Sequence, residues 1–409
     1  MIIGIDASRA FQNQRTGIEE YSYQVIKNLK DKSESHQVVL YIRKNQKIDF
    51  DLPQNWKTKV IKFPYLWTQI GLSLEMLFHP ADVLFIPAHV VPIIHPRNTF
   101  VTVHGLEFEI YPAGYSFWAR LYMRWSIKMS CRWSKKIITA SENTKKDLMK
   151  LYNVPENKIR VVYEGVSSVI ASVAKQSRSN IDELNSAGLP RRLEDETPRN
   201  DISRPYLLFI GRLEKRKNIE GIIDAFVLLK EKYKIPHKLV LAGRPGFGYK
   251  DLKFKISAIG GSAFGGKNSF KIIELGYIDE ASKWQFLSNA DIFLFPTFYE
   301  GFGLPVLEAQ SMGVPVVCSN TSSLPEIVTS KVKPWNQNIL EPGSRSRSGA
   351  SAVLCDPKSP ESIAEAAYSL VSNEELKNDI IKKGYENIKR FSWENCSFQV
   401  SKILTDGNK

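Results

Sequence analysis

Two glutamates, Glu300 and Glu308, flank the seven residues GFGLPVL in the C-terminal third of the chain. The apolar run Ile292–Phe295 before them predicts a strand, and the glycines after it predict a turn that leads into a helix. A strand that stops at a glycine turn before a helix exposes backbone N–H groups at the positive end of the helix dipole. The backbone N–H groups of Gly303 and Leu304 are placed to bind an anion, which at a helix N-terminus is usually a phosphate.

The two carboxylates add a second kind of recognition to this turn. Glu300 lies at the turn and Glu308 about one turn into the helix, so both can accept hydrogen bonds from hydroxyl groups on either side of the anion. An anion site between two hydroxyl-binding carboxylates suits a nucleotide sugar. Glycine-bearing strand–turn–helix units also occur in many doubly wound folds, so a purely structural role is the alternative for this stretch alone.

A basic cluster follows another predicted strand, YLLFIG, and leads into a predicted helix. Its members are Arg212, Lys215, Arg216 and Lys217. Cationic side chains beside a helix N-terminus favour a diphosphate. The terminal phosphate gains charge when a nucleoside diphosphate leaves a sugar, so fixed cations there stabilise the transition state more than the ground state. The alternative is a solvated basic loop.

The N-terminal half offers two weaker candidates. Gly17, in RTGIEEYSYQVIKNL, lies in a loop at the start of a predicted helix, where backbone can approach a phosphate. His104 follows the predicted strand 100–103, at the edge where a doubly wound sheet presents its ligands. A single histidine at a strand end is more often structural, and that alternative stays open.

Strands alternate with helices in both halves, which predicts an α/β protein with two parallel, doubly wound, Rossmann-like sheets. In the first half, strands are expected at IIGIDA, 38–42, 60–63, 83–86, 100–103, 136–139 and 160–162, with helices at 18–29 and 142–151. In the second half, strands are expected at YLLFIG, KLVLAG, FKIIELG, IFLFP, VPVVC and AVLCD, with helices at 219–233, 281–290 and 360–372.

Polar, low-periodicity stretches set the domain boundaries. We expect a first Rossmann-like domain at 1–168, a linker or insertion at 169–203, a second Rossmann-like domain at 204–390 and a final helix at 391–409. Residues 330–351 are expected to form a surface loop. Two such domains would create a cleft between the C-terminal edges of their sheets, where open α/β folds bind ligands.

The composition is that of a globular protein, with 43% hydrophobic and 24% charged residues in 409. No apolar run reaches membrane-spanning length, and the N-terminal MIIGIDASRA enters a strand directly, which argues against a signal peptide. Four scattered cysteines fit free thiols in a reducing compartment. We therefore expect a cytoplasmic protein.

The net charge of +13 is concentrated in residues 115–150, which hold nine Lys/Arg against two Asp/Glu. Basic residues recur there every four positions, which predicts one helical face: Arg120, Arg124, Lys128, Arg132 and Lys136. Large aromatics occupy much of the rest. This helix is either a solvated amphipathic element or a contact with anionic lipid at the inner face of the cell membrane. Nucleic acid is not favoured, because no nucleic-acid-binding motif accompanies the charge.

These motifs together resemble the retaining glycosyltransferases of family 4. Glu300 and Glu308 match the family's E-x7-E motif, and Arg212 and Lys217 match its G-R-x-x-x-x-K-N element. Similarity extends to FPYLWTQIGL, KKIITASENTKKDL, SSLPEI and a final helix after RFSWEN. Many members have aspartate after the strand-end histidine, and here that position is Gly105.

The resemblance implies two facing Rossmann-like domains (GT-B type), with the last helix returning to the first domain. It implies that Arg212 and Lys217 bind the donor diphosphate with the N–H groups of Gly303 and Leu304. Glu308 would bind the ribose hydroxyls and Glu300 the sugar hydroxyls. In the first domain, Gly17 would approach the donor phosphate or the acceptor, and His104 the transferred sugar.

The expected reaction is transfer of a hexose with retention, by front-face attack in which the leaving phosphate takes the acceptor's proton. Mannose from GDP-mannose is the first expectation, because TGIEEYSYQVIKNL resembles mannosyltransferase members. UDP-linked glucose, galactose or an N-acetyl sugar is the alternative, and a non-catalytic sugar-nucleotide-binding protein is a further one. The acceptor would be a glycan or lipid-linked glycan, and no cofactor is expected.

Other enzyme classes lack their motifs. Asp49 and Asp51 fit the letters of a metal-binding D-x-D but fall in a polar loop, and no His/Cys cluster suggests zinc. No P-loop is present, and neither first strand leads into G-x-G-x-x-G, which argues against a kinase and a dehydrogenase. We therefore expect no metal.

Overall fold

The computed structural model describes residues 1–12, 14–30, 35–166, 205–260, 270–329 and 349–406. The chain divides into two compact units, one of Met1–Gly165 with Phe391–Lys409 and one of Val166–Arg390. The expected linker at 169–203 lies outside the described residues, as does most of the expected loop at 330–351.

The first unit is built on a seven-stranded parallel sheet with the strand order β3-β2-β1-β4-β5-β6-β7. The strands are β1 Ile2–Asp6, β2 Gln37–Arg43, β3 Trp56–Ile61, β4 Val83–Ile86, β5 Thr99–Val103, β6 Lys136–Thr139 and β7 Ile159–Val161. Every residue of β4 and β5 is buried, as expected for a parallel sheet covered on both faces. The strand order reverses between β1 and β4, which makes that point the topological switch of this sheet.

One strand of the first unit differs from its expected position. The expected strand 60–63 is displaced to β3, Trp56–Ile61. This edge strand pairs with β2 from Val38↔Trp56 to Arg43↔Ile61. Only its two end residues are buried, so strand pairing fixes its position and the apolar run does not.

The second unit contains a six-stranded parallel sheet in the order β10-β9-β8-β11-β12-β13. Its strands are β8 Tyr206–Ile210, β9 Lys238–Ala242, β10 Ile272–Gly276, β11 Ile292–Phe295, β12 Val316–Ser319 and β13 Val353–Cys355. All six match predicted strands. The switch point lies between β8 and β11, the strands that precede the basic cluster and the glutamate motif.

Helices connect the strands of both sheets. They are α1 Gly17–Leu29, α2 Ser73–Phe78, α3 Glu107–Ile110, α4 Phe117–Trp133, α5 Glu142–Tyr152, α6 Ile219–Glu231, α7 Tyr249–Gly260, α8 Glu280–Asn289, α9 Leu304–Ser311, α10 Leu324–Val328, α11 Pro360–Ser372, α12 Glu374–Ile388 and α13 Trp393–Asp406. A π-helical turn, Trp67–Leu72, precedes α2. The predicted α/β class with two doubly wound sheets is confirmed.

The final helix packs on the first unit, as the fold class implies. Ser397 in α13 donates a hydrogen bond to the carbonyl oxygen of Val25 in α1, and the rings of Trp393 and Tyr21 meet edge to face. Gly165 allows this approach, because a Cβ there would lie 2.2 Å from the backbone nitrogen of Trp393. Among the described residues, no helix combines the length and the apolar character needed to cross a membrane.

The predicted basic face is one residue too long. Helix α4 ends at Trp133, and Ser134 adopts an extended backbone and caps the helix with a hydrogen bond to Ser130. Lys136 is therefore the first residue of β6 and does not lie on the helix. The face holds Arg120, Arg124, Lys128 and Arg132.

Asp291 gives the second unit a measurable pH dependence. It accepts hydrogen bonds of 2.6 Å from both His237 and Lys377, and the His237 hydrogen bond, with that of Lys377, lowers the pKa of Asp291 from 3.8 to about 2. A lowered carboxyl pKa adds stability above pH 3.8 that is lost as the pH falls toward 2. In denaturant titrations, the free energy of unfolding of the wild-type protein should fall by about 2 kcal/mol between pH 5 and pH 2 because of Asp291. We expect the Asp291→Asn variant to lack this contribution.

Asp379→Asn is the matched control, since Asp379 pairs with Lys383 on the exposed face of α12 and should change the acid dependence little. An Asp291→Asn protein with the wild-type pH profile would contradict the assignment.

Candidate active site

The candidate site of the second unit lies at its switch point. Strand β8 ends at Ile210 and continues into Gly211 and Arg212, while β11 ends at Phe295 and continues toward Glu300. Adjacent parallel strands present their carboxyl ends at one edge, where doubly wound sheets bind ligands. The two predicted motifs therefore meet at this edge.

The glycine turn before α9 has the geometry predicted for an anion site. Gly303 is the N-cap residue with φ +117°, and a Cβ there would lie 2.6 Å from Leu324. The left-handed backbone and the lack of space therefore each exclude a side chain at this position. Among the described residues, no side chain caps the start of α9. Within that part of the chain, the first N–H groups of α9, including that of Leu304, therefore lack a side-chain partner, as an anion-binding helix start requires.

Glu300 and Lys217 form a direct ion pair. Lys217 Nζ lies 2.6 Å from Glu300 Oε1, and the two side chains are only 11% and 10% exposed. Burial, with the nearby Arg216, lowers the pKa of Lys217, while Glu300 opposes this shift. The structure thus brings together two residues that the sequence had assigned to the diphosphate and to the sugar respectively.

Arg216, which the sequence placed in the diphosphate-binding cluster, completes this group through a contact with Glu300 that the sequence did not indicate. Its Nη1 lies 3.5 Å from Glu300 Oε1 and donates a 2.8 Å hydrogen bond to the carbonyl oxygen of Tyr299. Its other nitrogen atoms bind Glu214. Position in the basic cluster was the one available signal, and it did not separate Arg216 from its neighbours.

Two serines hold the backbone of the Glu300 loop. The Glu300 N–H donates to Ser322 Oγ at 3.1 Å, and Ser323 Oγ donates to the carbonyl oxygens of Glu300 and Phe302 at 2.9 and 2.6 Å. Ser322 adopts the left-handed backbone with φ +55°, a strained conformation that often accompanies functional sites. These serines belong to SSLPEI, which explains why that segment accompanies the glutamate motif.

Arg212 differs from the rest of the basic cluster. It is exposed, and it makes no hydrogen bond or ion pair with any other residue in the described part of the chain. Lys215, in contrast, forms an ion pair in which its Nζ atom lies 3.0 Å from Asp251 Oδ2. The guanidinium of Arg212 therefore remains available to an anion at the switch point.

Glu308 has a partner that the sequence did not indicate. Lys283, on α8, lies 2.7 Å from Glu308 Oε1, and both side chains are about one fifth exposed. The ammonium group of Lys283 orients the Glu308 carboxylate. A ribose hydroxyl that binds this carboxylate would share it with Lys283. Because 25 residues separate the two, no local pattern could have revealed the pair.

Gly17 is the first residue of α1, and a Cβ added there would meet no atom of the described residues within 4 Å. Its neighbours Thr16 and Glu19 form a capping box, in which the Glu19 carboxylate accepts from the Thr16 N–H at 3.2 Å. The backbone at Gly17 is therefore open to an approaching ligand.

His104 is buried, with 8% of its surface exposed, and both ring nitrogens have partners. Nδ1 lies 3.2 Å from Glu164 Oε1, and Nε2 lies 2.8 Å from the carbonyl oxygen of Pro87. Both nitrogens are therefore engaged, and Glu164, 60 residues from His104 in the sequence, is a partner that the sequence did not indicate.

No group of three or more His, Cys, Asp or Glu side chains in the described ranges could hold a metal ion. Asp49, the first aspartate of the D-x-D sequence, forms an ion pair with Arg15, with 3.8 Å between its Oδ2 atom and Arg15 Nη1. The four cysteines are free and buried.

Two family models match this chain, one in each unit. Glycosyltransferase Family 4 matches residues 15–168, and Glycosyl transferases group 1 matches residues 191–387. Two parallel-sheet α/β domains with this site define a protein of the GT-B fold. Each unit of the chain thus matches a family of glycosyltransferases.

Curated relatives include two mannosyltransferases. O-antigen chain mannosyltransferase B of Escherichia coli is 29% identical over 68% of this chain and 62% of its own length. O-antigen chain mannosyltransferase RfbU of Salmonella typhimurium is 26% identical over 64% of this chain and 62% of its own length. The chain thus spans about three fifths of the length of these relatives.

Solved structures of the same fold cover the whole chain. Anabaena HepE in complex with UDP and glucose has a TM-score of 0.66 at 16% identity, covering 99% of both chains. WaaG, a glycosyltransferase involved in lipopolysaccharide biosynthesis, has a TM-score of 0.65 at 14% identity, covering 99% of this chain and 100% of that one. At these identities the likeness supports the fold alone.

Proposed function

We propose that this protein transfers a hexose, with retention, from a nucleotide sugar to a glycan or lipid-linked acceptor. The observation that carries the proposal is the switch-point edge of the second unit. There the turn at Gly303 and the side chain of Arg212, both without a side-chain partner among the described residues, accompany the carboxylates Glu300 and Glu308. GDP-mannose is the proposed donor, because the relatives named above are mannosyltransferases. UDP-linked hexoses are the alternative, favoured by the UDP and glucose in the HepE structure.

The proposed chemistry divides the work among these groups. Arg212 and the N–H groups of Gly303 and Leu304 bind the departing diphosphate, whose charge grows as the bond to the sugar C1 breaks. Glu300, held by Lys217, binds hydroxyls of the transferred sugar, and Glu308 binds the ribose. Gly17 and His104 are the first unit's contribution.

Retention follows from front-face attack. The acceptor hydroxyl oxygen forms the new bond to C1 on the face that the diphosphate leaves, and a phosphate oxygen takes the hydroxyl proton. No metal or cofactor enters this scheme, since Arg212 and the start of α9 supply the positive charge at the phosphates.

A thermal-shift screen with GDP, UDP, ADP and their sugars tests the proposal, because a ligand that binds the folded state raises its melting temperature. GDP and GDP-mannose should give the largest shifts. No shift with any nucleotide would contradict a donor site, and NMR analysis of the anomeric configuration of the product tests retention.

Replacing Glu308 should weaken nucleotide binding specifically. Hydrogen bonds to a charged group contribute about 1.5–3 kcal/mol, so Glu308→Ala should lower the affinity for the nucleoside diphosphate about tenfold or more in calorimetry. Glu300→Gln should leave that affinity nearly unchanged, since its proposed partner is the sugar. Equal losses of nucleotide affinity in both variants would contradict this division of roles.

Contact with anionic lipid is a further part of the proposal, and helix α4 supports it. Its N-terminal half leaves large side chains in solvent, with Phe117 72% and Trp118 74% exposed, and its buried residues are chiefly small ones. Leu121, Trp125, Lys128 and Arg132 share one face at helical spacing. Exposed aromatic side chains beside basic ones, with no acidic residue within the helix, suit a negatively charged membrane surface.

Reversing two charges of α4 should weaken binding to anionic vesicles. Lys128 and Arg132 are exposed, whereas Arg124 already forms hydrogen bonds with Glu109. Lys128→Glu with Arg132→Glu should lose about 1 kcal/mol of vesicle affinity per residue or more in low-salt co-sedimentation. Lys253→Glu with Lys382→Glu, exposed on the second unit, is the matched control. Equal binding to neutral vesicles would leave α4 as an ordinary solvated helix.

A further inference from the structure

His89 lies at the switch point of the first sheet, in the segment that follows β4. Its backbone is left-handed with φ +56°, a conformation that costs energy for any residue with a Cβ. The segment is held there by a 2.9 Å hydrogen bond from the His89 N–H to the carbonyl oxygen of Thr102. Strained residues of this kind concentrate at ligand sites, where the surrounding structure enforces them.

The ring of His89 has an unused hydrogen-bonding atom. Nδ1 is buried and has no hydrogen-bond partner among the residues that the structure describes. Burial, with the neighbouring His104 and Arg9, lowers the pKa of His89 to about 3, so the ring is neutral at physiological pH. A buried N–H without a partner costs more than a buried lone pair, so we expect the neutral ring to carry its proton on Nε2. This half-buried side chain could then donate a hydrogen bond at the carboxyl edge of the sheet.

The neighbouring groups already satisfy one another. The ring of His104 lies 5.2 Å from that of His89 and uses both nitrogens on Glu164 and Pro87. Arg9 donates a hydrogen bond to Glu19 at 3.2 Å. Because Arg9 is paired with Glu19 and both His104 nitrogens have partners, the surroundings favour an uncharged, hydroxyl-bearing ligand over a phosphate, which would need an unpaired cation.

We propose that His89 donates a hydrogen bond to a hydroxyl oxygen of the acceptor sugar and thereby selects the acceptor. This inference rests on the proposed transferase function and concerns the first unit, while the donor groups argued above lie mainly on the second. The left-handed backbone fixes the direction of the ring before the sugar binds, so the site is preorganised.

The inference is tested by saturation-transfer NMR with methyl α-D-mannopyranoside, methyl α-D-glucopyranoside and methyl α-D-galactopyranoside in the presence of GDP. We expect wild-type protein to saturate at least one glycoside. The His89→Gly variant should weaken its binding about tenfold or more, without lowering the melting temperature, because glycine relieves the left-handed strain. His89→Gln, which places an amide donor near the position of Nε2, should recover part of the binding.

Two results would overturn the inference. One is a His89→Gly protein that binds the glycoside as wild type does, and the other is a wild-type protein that saturates none of the three glycosides while still binding GDP or UDP in calorimetry. In the first case, a lower melting temperature of His89→Gly would assign the ring to packing. A wild-type protein that binds neither GDP nor UDP would instead count against the proposed transferase function. The failure of this inference and the failure of the proposed function are therefore distinguishable.

Discussion

Replacing Arg212 with alanine should reduce kcat for sugar transfer by two or more orders of magnitude and leave the fold intact. The exposed guanidinium has no partner within the described residues, so its removal leaves no buried charge or hydrogen bond unsatisfied. The proposed contact strengthens as the diphosphate gains charge, and one such contact contributes about 3 kcal/mol to transition-state stabilisation. Steady-state rates of transfer measure the loss of kcat, and a thermal melt of the same preparation shows whether the fold is intact.

Lys215→Ala is the matched control for this variant. Lys215 lies three residues away in the same basic cluster, but it pairs with Asp251. Its removal takes away the same charge and should change turnover by less than Arg212→Ala does. Near wild-type transfer by Arg212→Ala would place the diphosphate elsewhere, and equal losses in both variants would reduce the effect to general electrostatic attraction.

Arg212 and Lys217 differ in a way that the sequence does not encode. Both residues belong to one basic motif, and the sequence treats them as a diphosphate-binding pair. The structure leaves Arg212 in solvent and pairs Lys217 with Glu300, 83 residues further along the chain. Tertiary contacts of this separation follow from the topology of the sheet, and no local pattern encodes them. The sequence identifies the residues of such a site better than their partners.

The elements themselves were easier to predict, for a physical reason. Buried parallel strands are continuous apolar runs, and β4, β6 and β11 have the bounds that their sequences predicted. Edge strand β3 is mostly exposed, lacks such a run and was misplaced. His89 was not found from the sequence either, because its left-handed backbone and its Nδ1 atom, which has no partner among the described residues, leave no trace in composition or periodicity.

The Lys217–Glu300 pair leads to the second large effect, which is on stability. Lys217→Met leaves the buried Glu300 carboxylate without its closest cation, and Glu300→Gln leaves the Lys217 ammonium unpaired over the ring of Phe295. Removing one partner of a buried ion pair costs about 3–5 kcal/mol. Each single variant should therefore unfold at clearly lower denaturant concentration than the wild-type protein.

The double variant separates the structural role of this pair from its proposed role at the sugar. Lys217→Met with Glu300→Gln leaves no unpaired charge from either residue, so its stability should recover most of the loss, as a double-mutant cycle would measure. Its transfer rate should stay at least 100-fold below wild type, since a neutral amide is a poorer acceptor for the sugar hydroxyls than a carboxylate. Recovery of both stability and turnover would make the pair a purely structural ion pair. A double variant as unstable as the single ones would show that Arg216, at 3.5 Å, depends on the same carboxylate for its own burial.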